Sequence, residues 1–468
     1  MKNRKTELVR GLSLTASIMI VAGSMIGSGI FRKPSTMAEQ LGSPELLILI
    51  WIAAGLITLI GAFVNAEISG MIDATGGQYV YFRKMYGDFT AYIYGWSILS
   101  VIQTGSQAAI AYVFAEYIGY FIKLFQLPDV WQNFSFYFPL VGKIYPFVDF
   151  GVKTVAIISI IILTSINYIG VIFGGTVQTI LTYIKIAVII VFALILFMFG
   201  NGSTSNIYTN FNIPPSTAKN LFSVIGLAFA GAFWAYDAWN NITFVSGEVK
   251  NAQRNVPLGL LFGVLIVIFV YVLINLAYLY VLPINEMAKS PLVAASAAEK
   301  VFGSKGGSII SLIVIISTFG ALNGSILATA RVPFAMARAN LFFKSLGKVH
   351  PDFGTPHIAL IVQGIWSCVL VLSGTFDTIT DYVMFASWLF YMLGAFGIII
   401  LRKKMPEEKR PYKVWGYPYT PLIFVCAAFL FLINSIFSDT KDAMMGLILI
   451  SSGLPFYFFW KYRKKDLN

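Results

Sequence analysis

One lysine, Lys185, stands inside the apolar run from about Thr176 to Gly200, and no other charge shares that run. A charge near a bilayer centre costs roughly 2.5 to 3.5 kcal/mol on insertion scales, so a lysine kept there needs a partner and a task. At a helical rise of about 1.5 Å per residue, its place in the run puts it roughly 13 Å deep, near the midplane of a hydrocarbon core about 30 Å thick. The alternative is a side chain whose stem carries the ammonium to an interface.

Two further stretches carry groups able to hold a ligand. The first, Gly23-Ser24-Met25-Ile26-Gly27-Ser28-Gly29, follows a helical run from Leu12 to Ala22 and precedes Ile30 and Phe31. A helix broken inside a membrane frees backbone N–H and C=O groups, which are costly unless something satisfies them. The N–H groups of Gly27, Ser28 and Gly29, at the start of the second half-helix, form an anion site aided by the helix dipole. Glycine there lets a carboxylate approach the backbone. The same small residues also suit close helix packing, and this stretch alone leaves both open.

The second stretch is Trp234-Ala235-Tyr236-Asp237-Ala238-Trp239-Asn240-Asn241, a polar and aromatic interruption that includes an acid. An inverted five-plus-five repeat puts the first and sixth helices in symmetry-related places, each discontinuous at the midplane with the substrate between them. Paired interruptions therefore favour a carrier over simple packing.

The elements that must position these groups are membrane helices. Hydrophobic residues make up 57% of the chain and charged residues 12%, with a mean hydropathy of +0.77, where a soluble domain carries about 25% charge. Runs long enough to span are read at about 12–36, 45–72, 89–122, 151–169, 176–200, 218–247, 256–281, 306–340, 357–376, 377–401, 420–438 and 442–461. They are continuous rather than alternating, which excludes strands. The expectation is an all-α membrane protein with twelve transmembrane helices. Its faintest boundary lies between the ninth and tenth, where Ser373, Gly374, Thr375 and Asp377 mark the turn. Within a single transporter domain over 1–468, residues 12–200 form the first half of the repeat and 218–401 the inverted second half. Residues 420–461 add two C-terminal helices.

A net charge of +12 suggests nucleic acid in a soluble chain, but here the basic residues follow topology. Lys2, Arg4, Lys5 and Arg10, the cluster at 402–413 and the tail at 461–465 fall on one side, which by the positive-inside rule puts both termini in the cytoplasm of a cell membrane. No cleavable signal peptide is read, because further spans follow the first. Cys368 and Cys426 fall within spans as packing residues. His350 and His357 lack the additional ligands that a zinc site needs. The expected external loop Gly303-Ser304-Lys305-Gly306-Gly307-Ser308 lacks the spacing of a phosphate-binding loop. No cofactor and no metal are expected.

On these residues the chain resembles the amino acid, polyamine and organocation (APC) transporter superfamily and, within it, the L-type amino acid transporter (LAT) family. The resemblance runs from about Leu12 to Lys461. It is carried by Gly27-Ser28-Gly29-Ile30-Phe31, by Ala235-Tyr236-Asp237-Ala238-Trp239-Asn240, and by Ser317-Thr318-Phe319-Gly320 with Asn323-Gly324-Ser325. Thr75-Gly76-Gly77 and the stretch from His350-Pro351 to Thr355-Pro356 also fit.

The resemblance implies a LeuT-like 5+5 inverted repeat that moves neutral L-amino acids by alternating access, as sodium-independent exchange or alternatively as proton-coupled symport. It implies that the substrate carboxylate binds the N–H groups of Gly27, Ser28 and Gly29. The amino group binds carbonyls at about Ala22, Met25 and Trp234, and Trp234 stands where most relatives carry a phenylalanine that gates the site.

Lys185 matches the family's fifth-helix lysine, whose ammonium links the unwound first helix to the fifth and eighth and stands where sodium-coupled relatives place a cation. Side-chain selectivity is expected from Ile102, Ser106, Trp234, Asn240, Ser387 and Trp388, each with packing as its alternative reading. Tyr236 and Trp239 are packing or belt residues. Glu67 and Glu116 are expected to be paired or solvated, with proton carriage as the alternative. Asp237 is expected to hydrogen-bond freed backbone, with proton coupling as its alternative.

Eukaryotic relatives hold an accessory chain through an external cysteine, and none is read here, so a bacterial-type carrier without a disulfide-linked subunit is expected. A channel needs a filter repeated among subunits, and a membrane enzyme needs clustered catalytic groups. Neither pattern is read in the sequence.

Overall fold

The computed structural model describes residues 11–72, 77–169, 175–211 and 220–465. Among them ten helices are long and apolar enough to cross a membrane, and an eleventh crossing results if the bent pair Leu14–Met25 and Gly29–Leu41 counts as one. His357–Ser373 is also apolar but shorter, at 17 residues. Among the described residues, length and composition thus give ten or eleven membrane-length spans and one shorter apolar helix, where the sequence expects twelve. Thr75 and Gly76 lie outside the described residues.

In chain order, α1 is Leu14–Met25, α2 Gly29–Leu41, α3 Pro44–Met71 and α4 Gln78–Tyr86. Helix α5 runs Asp88–Ile118 with a π turn at Ile98–Ile102, followed by α6 at Phe150–Ile169 and α7 at Gly175–Phe199. Then come α8 at Leu221–Ala235, α9 at Ala252–Val281, α10 at Val293–Thr329 and α11 at Arg331–Arg338. The last five are α12 at His357–Ser373, α13 at Phe376–Lys404, α14 at Tyr419–Ser438, α15 at Thr440–Ser451 and α16 at Gly453–Lys465.

Local sequence explains several of these ends. Ser13 caps α1 by accepting the Ala16 N–H at 3.2 Å, the usual service of a serine before a helix. Helix α2 stops at Gly42, whose φ of 60° is left-handed, and Ser43, Pro44 and Glu45 then start α3. The Glu45 carboxylate accepts backbone N–H groups from Thr209 and Phe211 and so fastens the segment after α7 to the start of α3. Residues 304–308, expected as an external loop, are instead helical. Gly303 takes φ 64° inside α10, and its missing Cβ lets the helix resume across the bend.

The core is built around α9, which packs on α3, α1 and α7, while α2 packs on α8 and α5 on α10. Large apolar side chains such as Ile158, Ile161 and Ile162 on α6 and Phe262 and Phe269 on α9 remain exposed on the outside. A bilayer, rather than water, is the solvent that such a surface suits.

Candidate functional site

Helix α1 ends at Met25, where the Ile26 N–H still reaches the Ala22 carbonyl at 2.9 Å. Helix α2 begins at Gly29, and the Phe31 N–H turns back to the Ser28 carbonyl at 3.2 Å. Between them, the N–H groups of Gly27, Ser28 and Gly29 meet no acceptor among the described residues. They are the orphan donors that any helix start leaves, here placed within the protein.

The second break follows α8. The Asp237 N–H bonds the Trp234 carbonyl at 3.3 Å, Ala238 adopts φ 65°, and the chain resumes as a 3-10 helix over Trp239–Glu248. A non-glycine residue in that region is uncommon. The Asp237 carboxylate steadies the turn by accepting the Tyr391 hydroxyl at 2.7 Å and the Ala238 N–H.

The two breaks are joined. The Tyr271 hydroxyl of α9 lies 2.7 Å from the Met25 carbonyl and 3.0 Å from that of Ala235, one from each break. At the other end of α1, the Gly11 and Leu12 N–H groups bond the Glu248 carbonyl at 2.9 and 3.0 Å, and the Lys250 N–H bonds that of Leu12 at 2.9 Å.

Between the breaks lies a cavity of about 240 Å³. Its walls are Met25, Gly27, Ser28 and Gly29 from the first break and Trp234, Asp237, Ala238 and Asn241 from the second. Gln103 and Ser106 of α5, with Gly320, Gly324 and Ser325 of α10, complete it, and Leu12, Glu248 and Arg331 stand at one end. Trp234 is 7% exposed and meets the Phe376 ring edge-on at 6.0 Å.

Beyond Phe376 the opposite end is sealed by charge. The Lys33 ammonium is 2.7 Å from Asp377 and 3.9 Å from Asp381, and Arg32 pairs with Glu116 at 3.2 Å and with Asp377 at 3.5 Å. Arg32 and Lys33 both lie over the Phe376 ring. Because α1 and α2 bend by only 41°, Leu12 and Lys33 lie on opposite sides of the break in one span. The cavity is therefore reached from the Leu12, Glu248 and Arg331 end and closed at the other.

Of the residues singled out from sequence, Met25, Gly27, Ser28, Gly29, Ser106 and Trp234 line this cavity together. Ala22, Ile102, Asn240, Ser387 and Trp388 do not. Each carbonyl expected to take the amino group already has a donor: Ile26 N–H on Ala22, Tyr271 hydroxyl on Met25 and Asp237 N–H on Trp234. Only the second lone pair of each is left.

Asn241, not Asn240, faces the cavity, because the 3-10 helix after Ala238 advances three residues per turn and so shifts the phase expected of an α-helix. Trp388 stacks instead on Phe233, with ring centroids 3.8 Å apart, and on Phe424 at 5.4 Å. The adjacent Ser387 is fully buried beside it. Ile102 sits in the π turn, its carbonyl holding the Ser106 hydroxyl at 2.7 Å.

Lys185 lies on α7, which packs against α1, but it makes no hydrogen bond to any described residue. The link to the first helix expected of it is not formed in this conformation.

Glu67 is paired, receiving Arg402 at 2.8 and 2.7 Å and the Val414 N–H at 2.6 Å. Sequence reasoning passed over Gln103, Gly320 and Gly324. A glutamine in an apolar run is the one signal that pointed to the first, and the two glycines stood only inside the quoted motifs.

A family model described as amino acid permease matches residues 12–454. Similar curated proteins include the serine/threonine exchanger SteT of Bacillus subtilis (strain 168), 32% identical over 99% of this chain and 100% of its own length. The b(0,+)-type amino acid transporter 1 of Homo sapiens is 32% identical over 98% of this chain and 90% of its own. The large neutral amino acids transporter small subunit 2 of Oryctolagus cuniculus is 30% identical over 98% and 83%.

Proposed function

The chain belongs to the amino acid permease family, and from that premise we propose that it exchanges neutral L-amino acids across the cell membrane by alternating access, without sodium. The observation that carries this reading is the row of acceptor-free N–H donors at Gly27, Ser28 and Gly29 on a cavity wall. A carboxylate satisfies such donors and is favoured by the dipole of α2. The ammonium of the same zwitterion fits the remaining lone pairs on Met25 and Trp234.

The meeting of the two breaks supports reading 12–200 and 218–401 as inverted halves. Lys185 in the fifth span, as the stand-in for a cation, supports sodium independence. The basic N-terminal segment and tail support cytoplasmic termini. Cys368 and Cys426, inside α12 and α14, support a carrier that works without a disulfide-linked subunit.

The test is counterflow of labelled amino acid in proteoliposomes, with sodium or choline outside and with or without amino acid inside. Uptake that requires internal amino acid and ignores sodium is expected, and uptake that requires sodium overturns the reading. Asp237 on the cavity wall favours one second reading, proton symport. Uptake into vesicles without internal amino acid, driven by a pH gradient alone, is the outcome that selects it.

A further inference from the structure

We infer that the segment after α13, residues 405–419, is a docking surface for anionic lipid headgroups in the leaflet on the face to which the cavity opens. Lys409 and Lys413 take the lipid phosphate, and Trp415 and Tyr419 sit in the bilayer interface beside them. The inference goes beyond exchange and does not depend on it.

Helix α13 starts beside the sealed end at Phe376 and finishes 29 residues later at Lys404. At about 1.5 Å per residue that length crosses a hydrocarbon core about 30 Å thick, so the segment that follows lies at the opposite, open face. It is held there against a buried carboxylate. Glu67 of α3 receives the Arg402 guanidinium and the Val414 N–H, and Arg410 adds an ion pair at 3.4 Å. Arg410 also holds the Met405 carbonyl at 2.7 Å, and the Thr420 hydroxyl reaches back to the Trp415 carbonyl at 2.5 Å. The backbone around Lys413 and Trp415 is therefore fixed from both sides, with Val414 buried and its two neighbours exposed.

Six basic residues and two acidic ones lie between 402 and 413. Arg402, Lys404 and Arg410 are occupied by Glu67 and by backbone carbonyls. Lys403, Lys409 and Lys413 are exposed and have no ion pair or hydrogen bond to any described residue. At the sealed end the protein supplies its own acids to Arg32 and Lys33; here it supplies none to these lysines.

Trp415 is 79% exposed and Tyr419 73%, and exposed apolar side chains continue from them along α14 at Leu422, Ile423, Phe429 and Leu430. Aromatic rings with a polar edge suit the boundary between headgroups and hydrocarbon. Lysines fixed at that boundary attract anionic headgroups. A soluble protein is the rival occupant, but the apolar surface here is continuous with that of a membrane-length helix.

The experiment places the purified full chain in bilayers of phosphatidylcholine and phosphatidylglycerol, with bromine on the upper acyl carbons of one lipid or of the other. Quenching of the Trp415 emission is read as the difference between the wild type and Trp415→Phe. Brominated phosphatidylglycerol is expected to quench that component more than brominated phosphatidylcholine at the same mole fraction. Lys409→Gln and Lys413→Gln should each raise the phosphatidylglycerol fraction needed for half-maximal quenching by about fivefold, the effect of one basic residue near an anionic surface. High salt should act in the same direction.

Equal quenching by the two lipids, or unchanged quenching in either lysine variant, overturns the anionic site as assigned. No quenching by either lipid shows a segment facing water or a protein partner and overturns the surface altogether. The readings are taken without transport, so neither outcome bears on the exchange proposed above.

Discussion

Gly29 and Ala235 meet backbone to backbone: a Cβ on Gly29 would sit 2.5 Å from the Ala235 Cα, whereas one on Gly27 comes no nearer than 3.9 Å to the Met25 carbonyl. The two glycines of the first break therefore serve different ends. Gly29 lets the half-helices touch, and Gly27 keeps the path to the N–H donors open. Gly29→Val is expected to lower the melting temperature in detergent as well as abolish exchange, because overpacking of this kind costs about 1 to 3 kcal/mol. Gly27→Ala should keep the melting temperature and raise KM. An unchanged KM in that variant removes the carboxylate site from this segment.

Much of this arrangement was legible in the chain, because three glycines between 23 and 29 leave few alternatives to a break. The phase after the second break was not. No residue type announces that Ala238 turns left-handed and that a 3-10 helix follows, so the sequence points to Asn240 and the structure to Asn241. The orientation of α13 was hidden for a different reason. Its apolar positions extend around much of the helix, and only packing decides that Trp388 turns to Phe233. The seal of the cavity was hidden by distance, since Lys33 and Asp377 are 344 residues apart and neither looks buried in its local sequence.

Tyr271 ties the breaks with one hydroxyl. Tyr271→Phe keeps the ring packed against Trp51, 5.5 Å away, and removes only the donor shared by the Met25 and Ala235 carbonyls. Leaving buried acceptors without a partner costs about 1 to 3 kcal/mol, so a lower melting temperature and a slower turnover are expected. Thermal denaturation beside counterflow measures both. A variant as stable as the wild type would show that the bridge adds nothing.

The charge cluster around Lys33 predicts which side opens when it is weakened. Asp377→Asn removes the negative charge 2.7 Å from the buried Lys33 ammonium and leaves only Asp381, at 3.9 Å, to offset it, and a buried charge that loses its charged partner destabilises the arrangement that holds it. In a background of Cys368→Ser and Cys426→Ser, an Ile110→Cys reporter on the cavity wall should become reactive to an impermeant maleimide from the face that carries Lys33. Labelling as slow as in the intact cluster would mean that these pairs do not keep that face shut.

Trp234 closes over the cavity with its ring against Phe376. Trp234→Ala should raise KM sharply by uncovering the substrate, while Trp234→Phe keeps an aromatic cover and admits larger side chains. The readout is the ratio of KM to turnover across a substrate series. If alanine at this position transports like the wild type, the ring only fills space.

Lys185 is the residue whose role this conformation states by what is missing. Its ammonium has no hydrogen bond to a described residue although α7 packs directly on α1, and an unpaired charge within a span is costly. We propose that the missing bond, which resemblance to the family implies between the first, fifth and eighth helices, forms in a different state. A group that is bonded in one state and free in another biases the equilibrium between them. Lys185→Ala should therefore favour the conformation open at Leu12, Glu248 and Arg331, cutting turnover more than stability and making flux unequal in the two directions. Uptake and efflux in oriented proteoliposomes, with sodium replaced by choline, measure this. Unchanged kinetics in Lys185→Ala would end its coupling role, and strict sodium dependence of the wild type would end the idea that its ammonium stands in for a cation.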